Sequence, residues 1–270
     1  MPREKPLQGA MMSTSPLGQR DLGKGFSSHF EILPALDERT RSQVFGIRHE
    51  VYCEDLGFEP VRPDRQEVDE FDRHSIHCLM RTADGAQTLV GCMRLILARP
   101  EDPDFPLPFE VACRDTLDQH TVDSRRLPRR TIAEVSRLAV RRQFRRRRGE
   151  ERQAIAIDER DFGTPASPRF PFIPVGLYLG VTAVADRHGI DKAFLLSEAR
   201  LAAHITRLGF DVTQIGPPIE YHGTRIPSII DVKKSIRGLR SLIRPMWHVV
   251  RDQIDAGYAI STKGSLSLPG

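Results

Sequence analysis

The chain of 270 residues is long enough for one domain with a sizeable core, and its 39% hydrophobic and 28% charged residues are ordinary for a soluble globular protein. The formal net charge is only +4, but much of the positive charge lies between Arg125 and Arg152, which predicts a basic patch that meets phosphates or an acidic partner. The cysteines form no CxxC pair and have no histidine at metal-ligand spacing. The sequence therefore signals neither a disulfide framework nor a zinc site, and it favours reduced thiols in a cytoplasmic protein.

The first residues of the chain, 1–25, are polar and contain scattered Pro, Ser and Gly. This composition predicts a disordered leader and no secretory signal. The longest apolar run, 170–185, contains prolines and is too short to span a bilayer comfortably. We therefore expect it to be core, with no membrane span.

The first predicted element is a helix over 36–55, with Asp37 as its N-cap and Gly57 just past its end. Residues at helical spacing share one of its faces: Arg41, Phe45, Arg48 and Tyr52. An arginine and an aromatic together on a core-facing stripe indicate a pocket.

Further along the chain, strands and helices alternate. A polar loop over 59–73 leads to a predicted hairpin of strands 75–81 and 88–98, and a Pro-rich loop over 100–108 precedes a strand over 131–140. The later predicted elements are helices 174–188 and 199–208, strands 192–197, 211–215 and 226–232, and a helical tail over 235–254. This alternation predicts an α/β or α+β domain over 26–235, followed by a C-terminal helical extension and tail over 236–270.

The strand over 131–140 carries Glu134 and Arg137 among Ile, Val, Leu and Ala, where unpaired charges are costly to bury. In a regular strand the two side chains point to opposite faces, whereas a bulge would let both reach one cleft. The alternatives are an edge strand with both charges in water, or a buried pair between Glu134 and Arg94.

Arg94 lies in the middle of an apolar strand and needs an acidic partner. The candidates are Asp69, Asp72 and Glu134. Taken alone, Asp69 and Asp72 could simply be loop carboxylates that cap a turn.

As an ordered set, these residues resemble the signature of the acyl-homoserine-lactone synthases, which belong to the GNAT-like acyltransferases. The set consists of Arg48, Tyr52, Leu56-Gly57-Phe58, Asp69-Glu70-Phe71-Asp72, Arg94 and Glu134-x-Ser136-Arg137. The resemblance implies a central mixed, twisted sheet flanked by helices, with the disordered leader and C-terminal helix as additions.

The sequence departs from that signature at Tyr52, where a phenylalanine is usual, and at Phe58, where a tryptophan is usual. Three segments resemble the sequences of acyltransferases associated with PEP-CTERM/exosortase systems: residues 47–59, residues 136–140 and Pro218-Ile219-Glu220-Tyr221-His222-Gly223. The resemblance thus implies an N-acyltransferase that moves a fatty acyl group from an acyl carrier protein or acyl-CoA to a small amine such as an amino acid. A true lactone synthase using S-adenosylmethionine is the alternative within the enzyme class.

The resemblance also implies roles for individual residues. Glu134 would be the general base, working through a water, while Asp69, Asp72 and Arg94 hold the acceptor and the acidic loop. Arg48 and Arg137 would organise the cleft or meet the acceptor's carboxylate. The remaining substrate-binding residues are Tyr52, Phe58, Ser136, Leu138 and Val140, and backbone N–H groups of the bulged strand would meet the thioester carbonyl.

The arginine run after this strand is expected to bind the phosphopantetheine or the carrier protein, through Arg142, Phe144, Arg145, Arg146 and Arg147. No metal and no tightly bound cofactor are required. The apolar run 170–185 and Phe194-Leu195-Leu196 are expected to line a slot for the acyl chain. The competing hypothesis, from another class of protein function, is a basic nucleic-acid-binding protein. Against it, Phe144 is the only aromatic residue of the basic run.

Overall fold

The computed structural model describes residues 21–99, 101–102, 104–117, 126–145, 163–164, 167–168 and 170–265. Its strands are β1 (Phe30–Pro34), β2 (Ser75–Thr82), β3 (Leu89–Leu97), β4 (Ile132–Val140), β5 (Gly163–Thr164), β6 (Ser167–Pro168), β7 (Lys192–Ser197), β8 (Asp211–Gln214), β9 (Ile219–Glu220) and β10 (Thr224–Asp231). Its helices are α1 (Leu22–Ser27), α2 (Glu38–Arg48), α3 (Pro108–Ala112), α4 (Phe172–Arg187), α5 (Ala199–Arg207), α6 (Val232–Gly238) and α7 (Arg244–Ser265).

The central sheet has eight strands in the order β1-β2-β3-β4-β7-β10-β8, with β9 beside β10. Strands β4 and β7 pair in parallel, and the other neighbouring strands of the sheet pair antiparallel. β5 and β6 form a separate antiparallel pair. The mixed sheet flanked by helices confirms the fold class predicted from the sequence.

Helix α4 lies in the middle of the core because it is apolar on all sides. Its residues from Val175 to Ala185 are all buried, and Gly180 approaches Ile32 of β1 closely. The prediction that this apolar run is core is confirmed. Among the described helices, none is both long enough and apolar enough to cross a membrane.

The first predicted helix continues beyond α2 as a seven-residue π-helix, His49–Asp55. Asp37 caps α2, as predicted, by accepting a hydrogen bond from the Thr40 N–H at 2.7 Å. Wider turns of this kind often occur at functional sites, since they re-aim the side chains that follow. Here the π-helix carries Tyr52.

The two ends of the chain differ from the sequence predictions. Residues 1–20 of the predicted leader lie outside the described residues, but α1 begins at Leu22, where Asp21 caps it. Leu22 and Phe26 are buried in the main core, so the leader boundary at residue 25 is wrong. The predicted helical tail consists of two helices, α6 and α7, and Trp247 of α7 belongs to the same core as α4.

Gly91 lets β3 approach β4 closely at the end of the strand pair, opposite Val140. A Cβ atom on Gly91 would lie 2.6 Å from the carbonyl oxygen of Ala139, which is a backbone atom and cannot move aside cheaply. We predict that Gly91→Ala lowers the free energy of unfolding by about 1–3 kcal/mol, measured by urea denaturation. The matched control is Gly85→Ala, where nothing lies within 4 Å of the added atom. Equal losses in the two variants would contradict this account.

Candidate active site

A β-bulge in β4 brings the charged residues of this strand to one cleft. Cys92 pairs with Ala139 and Arg94 pairs with Ser136, so Arg137 and Leu138 together lie opposite Met93. Arg137 has a φ of 51°, in the left-handed region that non-glycine residues rarely adopt. The predicted bulge is therefore present, and Glu134 and Arg137 both line the same cleft.

The cleft opens where β4 and β7 stop pairing. Their parallel ladder runs only from Ile132 and Lys192 to Val135 and Leu195, although both strands continue. The bulged half of β4 forms one wall, and Leu195, Leu196 and Ser197 of β7 lie on the other. The enclosed volume is about 190 Å³.

A buried cluster of ion pairs supports the cleft from below. The Arg48 Nε donates to Glu67, and its Nη1 and Nη2 donate to the two carboxylate oxygens of Asp72 at 2.6 and 3.1 Å. The Arg94 Nη1 donates to Asp69 at 2.6 Å and to Asp72 at 2.8 Å. We call these residues, together with Arg137, the ion cluster.

Arg137 joins the ion cluster to the cleft. Its Nη2 donates to Glu67 at 3.1 Å, to Asp69 at 3.2 Å and to Glu59 at 3.3 Å. Its Nε is buried and has no hydrogen-bond partner among the residues that the structure describes. The guanidinium therefore keeps a donor beyond those used by the three carboxylates.

Charge attraction inside the ion cluster outweighs desolvation. Burial by itself would raise the pKa of Asp72, but hydrogen bonds and charge attraction from Arg48 and Arg94 lower this pKa well below its usual value. His77, whose Nε2 lies 3.5 Å from Asp72 Oδ1, has its pKa lowered to about 3 by burial and by the nearby arginines. His77 is therefore neutral at physiological pH, while Asp72 is ionised.

Glu134 has a different environment from the other carboxylates. Its side chain is only 4% exposed, and its Oε2 accepts a hydrogen bond of 2.8 Å from the Phe109 N–H, in the first turn of α3. Burial raises the pKa of Glu134 to about 8, because the Phe109 N–H and the more distant Arg94 compensate only in part. Arg94 pairs with Asp69 and Asp72 rather than with Glu134, so the alternative of a buried Glu134–Arg94 pair is excluded.

Some predicted site residues lie in the cleft, and others lie beneath it. Tyr52, Phe58, Arg94, Glu134, Ser136, Arg137 and Leu138 line the cleft. Arg48 is 0% exposed, so it can organise the cleft through Glu67 and Asp72 but cannot meet an acceptor's carboxylate. Asp72 is 8% exposed and acts, like Arg48, from below. Val140 is 3% exposed and packs in the main core, so its predicted contact with substrate is wrong.

Two aromatic residues of the predicted site tie separate segments together. The Tyr52 hydroxyl donates to the Leu138 carbonyl at 2.8 Å, which fixes the π-helix against the bulge. Phe58 stacks on His222, with ring centroids 4.9 Å apart. Because Ser136 Oγ accepts from Arg94 Nε at 3.0 Å, the strand beyond Glu134 is also held from below.

The arginine run is only partly available for a partner. Arg142 is exposed, but Arg145 is paired with Asp55 of the π-helix and its side chain is 6% exposed. The expected surface contact of Arg145 with a carrier is therefore wrong. Phe144 packs against the main core, and Arg146 and Arg147 lie outside the described residues.

The structure adds residues to the site that the sequence reasoning missed. Glu59 and Glu67 bind Arg137, and Phe109 positions Glu134. The turn between β9 and β10 brings Tyr221 and His222 to the cleft. In the sequence, this turn was noted only because segment 218–223 resembles a related group of acyltransferases. Arg225 holds this turn, since it donates to the Tyr221 and His222 carbonyls and to Glu198.

An inner apolar cavity adjoins the cleft beneath the sheet. The two share the wall residues Met93, Val135, Leu195 and Leu201. Helix α4 contributes Tyr178, Val181, Thr182 and Ala185 to the inner cavity, which Phe210, Ile230 and Val232 also line and whose volume is about 30 Å³.

Comparisons with known proteins agree with this geometry. Residues 47–153 match the family profile described as acetyltransferase (GNAT) domain. The acyl-homoserine-lactone synthase LasI superposes with a TM-score of 0.55 and 18% identity, covering 78% of this chain and 95% of LasI. MesI, a CoA-dependent acyl-homoserine lactone synthase, gives a TM-score of 0.51 and 19% identity over 80% of this chain and 94% of MesI.

TofI, whose structure is a ternary complex with an inhibitor and MTA, superposes with a TM-score of 0.53 and 16% identity over 77% of this chain and 95% of TofI. A search of curated protein sequences finds no significant match. The fold is GNAT-like, as the resemblance implied, and the prediction of an acyl-transferring enzyme is confirmed.

A substitution at Asp72 tests how much the ion cluster contributes to the stability of the fold. We predict that Asp72→Asn lowers the free energy of unfolding by about 3–5 kcal/mol, because Arg48 and Arg94 lose a shared buried counter-charge. The pKa of Asp72 is lower in the folded state than in the unfolded chain, so its contribution is complete above the unfolded pKa of about 4 and is lost as the pH falls. Urea denaturation from neutral to acidic pH measures both effects.

The control is Asp252→Asn, a carboxylate whose side chain is 69% exposed and whose pair with Arg251 lies on the surface. We expect it to change stability by less than about 1 kcal/mol. If both variants lose the same small amount, the ion cluster does not stabilise the fold.

Proposed function

We propose that this protein is an N-acyltransferase that moves a fatty acyl group from a thioester, acyl-CoA or acyl carrier protein, to a small amine such as an amino acid. The observation that carries the proposal is Glu134, a buried carboxyl group with a raised pKa at the point where β4 and β7 separate. A base near the working pH, beside a slot for an extended substrate, fits aminolysis of a thioester.

The unpaired edge of β4 supports binding of the thioester arm. Beyond Val135 the strand has no β7 partner in the described structure, so backbone groups along this edge can pair with the amide groups of a pantetheine chain. The bulge re-aims the N–H groups near Ser136 and Leu138, where they would stabilise the oxyanion formed on the thioester carbonyl. The acyl chain would then lie along the apolar wall of the cleft, which includes Met93 and Leu195.

Glu134 would take the proton that the amine must lose. The amine nitrogen attacks the carbonyl carbon, the new C–N bond forms, and the C–S bond breaks to release the thiolate. A proton passes from nitrogen to Glu134, directly or through one water, and can return to the thiolate sulfur. The Phe109 N–H holds the carboxylate in place while it does this.

Glu59 and Arg137 mark the acceptor end of the cleft. Both line it, and the Arg137 side chain is 19% exposed. Its guanidinium group suits the carboxylate of an amino-acid acceptor, whereas Asp69 and Glu59 suit the acceptor's ammonium group. Asp72, from below, and Arg94, from the cleft wall, would hold Asp69 in place.

A lactone synthase using S-adenosylmethionine is the second candidate. It is favoured by the fold likeness to LasI and MesI, both described as acyl-homoserine-lactone synthases, and by the MTA bound in TofI. Against it, Tyr52 and Phe58 depart from that family's usual residues, and His222 covers the Phe58 ring.

The link to PEP-CTERM/exosortase systems is also a proposal, and it rests on the resemblance of the segments around Tyr52, Ser136 and Tyr221. The nucleic-acid-binding hypothesis has less support, because Arg141 and Arg145 are paired with Glu50 and Asp55 of the π-helix. Analysis of lipids in a host that carries a PEP-CTERM/exosortase system would test the proposed link. DNA binding that resists added salt would favour the nucleic-acid-binding hypothesis.

The central prediction concerns Glu134→Gln. We expect cells expressing the unaltered protein to accumulate a new N-acyl species, detected by mass spectrometry of lipid extracts, and the variant to produce about 10²–10⁴ times less. The mass and base lability of the product separate an open N-acyl amine from a lactone. The control is Glu38→Gln, an exposed residue in the first turn of α2 that does not line the cleft. A Glu134→Gln variant with normal turnover would contradict the base assignment.

The same variant gives a pH test. Glu134 must be ionised to accept a proton, so with its pKa near 8, its contribution to kcat/KM should rise about tenfold per pH unit below 8 and level off above it. Protonation of the acceptor amine at lower pH also decreases kcat/KM. The Glu134→Gln variant should retain only the pH dependence that the amine causes. An unchanged profile in the variant would show that the carboxyl group does not titrate in the reaction.

Donor binding tests the basic segment. We predict that Arg142→Ala raises the KM for an acyl carrier thioester by about two- to fivefold, the effect of one surface ion pair, and that added salt raises it further. Arg39→Ala, an exposed arginine of α2, should leave this KM unchanged. A salt-insensitive KM would argue against an electrostatic contact with the donor.

A further inference from the structure

The connection between α6 and α7 carries positive charge that no carboxylate within it compensates. Between Asp231 and Asp252 the chain has no acidic residue, whereas its basic residues there are Lys233, Lys234, Arg237, Arg240, Arg244 and Arg251. The two lysines and Arg251 pair with aspartates outside this stretch. The uncompensated charge is therefore concentrated at Arg237, Arg240 and Arg244, and we call residues 237–244 the basic turn.

The three arginines of the basic turn lie close together at the protein surface. All three are exposed, and none forms an ion pair with a carboxylate among the residues that the structure describes. Arg244 Nη2 donates to the Arg237 carbonyl at 2.6 Å, at the end of α6, where a helix leaves carbonyl groups unpaired. This contact holds the charge of Arg244 beside Arg237. A cluster of like charges of this kind attracts a partner that presents several negative charges.

An apolar side chain stands at the tip of the basic turn. The Ile243 N–H donates to the Arg240 carbonyl at 2.8 Å, so Ser241 and Leu242 are the central residues of a tight turn. Polar residues and glycine usually occupy such positions, whereas Leu242 is 52% exposed. Its neighbours Leu239 and Ile243 are buried in the main core, which fixes the turn and leaves Leu242 outside. A lone exposed leucine is common on protein surfaces, but here it lies among unpaired arginines.

The basic turn lies at the end of the sheet remote from the cleft. The Arg240 N–H donates to the Leu208 carbonyl at the C-terminal end of α5, whereas Arg200 and Leu201, in the first turn of α5, line the cleft. None of the residues 237–244, which the structure describes in full, lines the cleft. A partner bound to the basic turn therefore leaves the cleft open to its substrates.

We propose that the basic turn binds the surface of a membrane that contains anionic lipids. Arg237, Arg240 and Arg244 contact the lipid phosphates, and Leu242 enters the boundary between head groups and acyl chains. Guanidinium groups suit phosphate oxygens because they donate two parallel hydrogen bonds. This inference is independent of the proposed function, since it requires no acyl transfer.

Other partners with negative charge fit the basic turn less well. A specific protein interface normally has an apolar core and involves about 20–30 residues on each side. The basic turn offers Leu242 as its exposed apolar side chain, which is too little for such a core but suits a bilayer to which the arginines already attract the protein. Single-stranded nucleic acids stack their bases on aromatic side chains, and residues 237–244 include no aromatic residue.

Cosedimentation of the full chain with lipid vesicles tests the proposal. We expect the chain to bind vesicles of equal parts phosphatidylcholine and phosphatidylglycerol but not vesicles of phosphatidylcholine alone, and added salt to weaken the binding. The double variant Arg237→Gln/Arg240→Gln should bind about tenfold more weakly or less, since each basic side chain near an anionic surface contributes about fivefold. Leu242→Ser should weaken binding by about two- to tenfold. Arg244 stays unaltered because it caps α6.

Matched controls separate the basic turn from general surface charge and apolarity. Arg39→Gln/Arg130→Gln removes two exposed arginines elsewhere, and Ile260→Ser removes a 72% exposed apolar side chain in the C-terminal part of α7. Both controls should bind the mixed vesicles like the unaltered protein, and melting temperatures verify that every variant is folded.

Absence of binding to the mixed vesicles, equal binding to both kinds of vesicle, or equal losses in the variants and the controls would overturn the inference. The same holds if the chain binds duplex DNA or an acidic carrier protein but no vesicles, and Arg237→Gln/Arg240→Gln abolishes that binding. The basic turn would then belong to that partner.

Discussion

A buried cluster of ion pairs holds together segments that are far apart along the chain. Arg48 of α2, Arg94 of β3 and Arg137 of β4 all bind carboxylates of the loop between the π-helix and β2. Burying these charges is costly unless every one is paired, so the loop has few arrangements that satisfy all of them. The ion cluster therefore fixes the position of the acidic loop, and the cleft is built on that loop.

The bulge in β4 depends on the same contacts. A positive φ at Arg137 is unfavourable for a non-glycine residue, and it persists because three carboxylates bind the side chain and Tyr52 binds the next carbonyl. The bulge turns β4 away from β7, and the parallel ladder ends at Val135. One local distortion thus opens the cleft, frees a strand edge for a substrate and leaves Glu134 buried beside both.

Sequence reasoning succeeded where a short-range pattern carries the signal. The strands β4 and β7 and the helices α4 and α5 were predicted nearly to their ends, because charged residues, prolines or glycines bound each of their apolar segments. Charge compensation gave Asp69, Asp72 and Glu134 as the candidate partners of Arg94, and the structure pairs Arg94 with the first two. The short helices α1 and α3 were missed, since a single turn has too few residues to show a period. Arg48 and Val140 were placed in contact with substrate because burial is not visible in their spacing.

The sequence by itself determined the fold class, the acidic loop and the presence of Glu134 and Arg137 in an apolar strand. These properties follow from local periodicity and from the cost of burying unpaired charge. Only the tertiary structure decided that Phe109 and His222 reach the cleft and that Arg48 lies beneath it. Those facts depend on how separate loops and helices pack against one another, and such packing is not visible in the short-range periodicity of a single sequence.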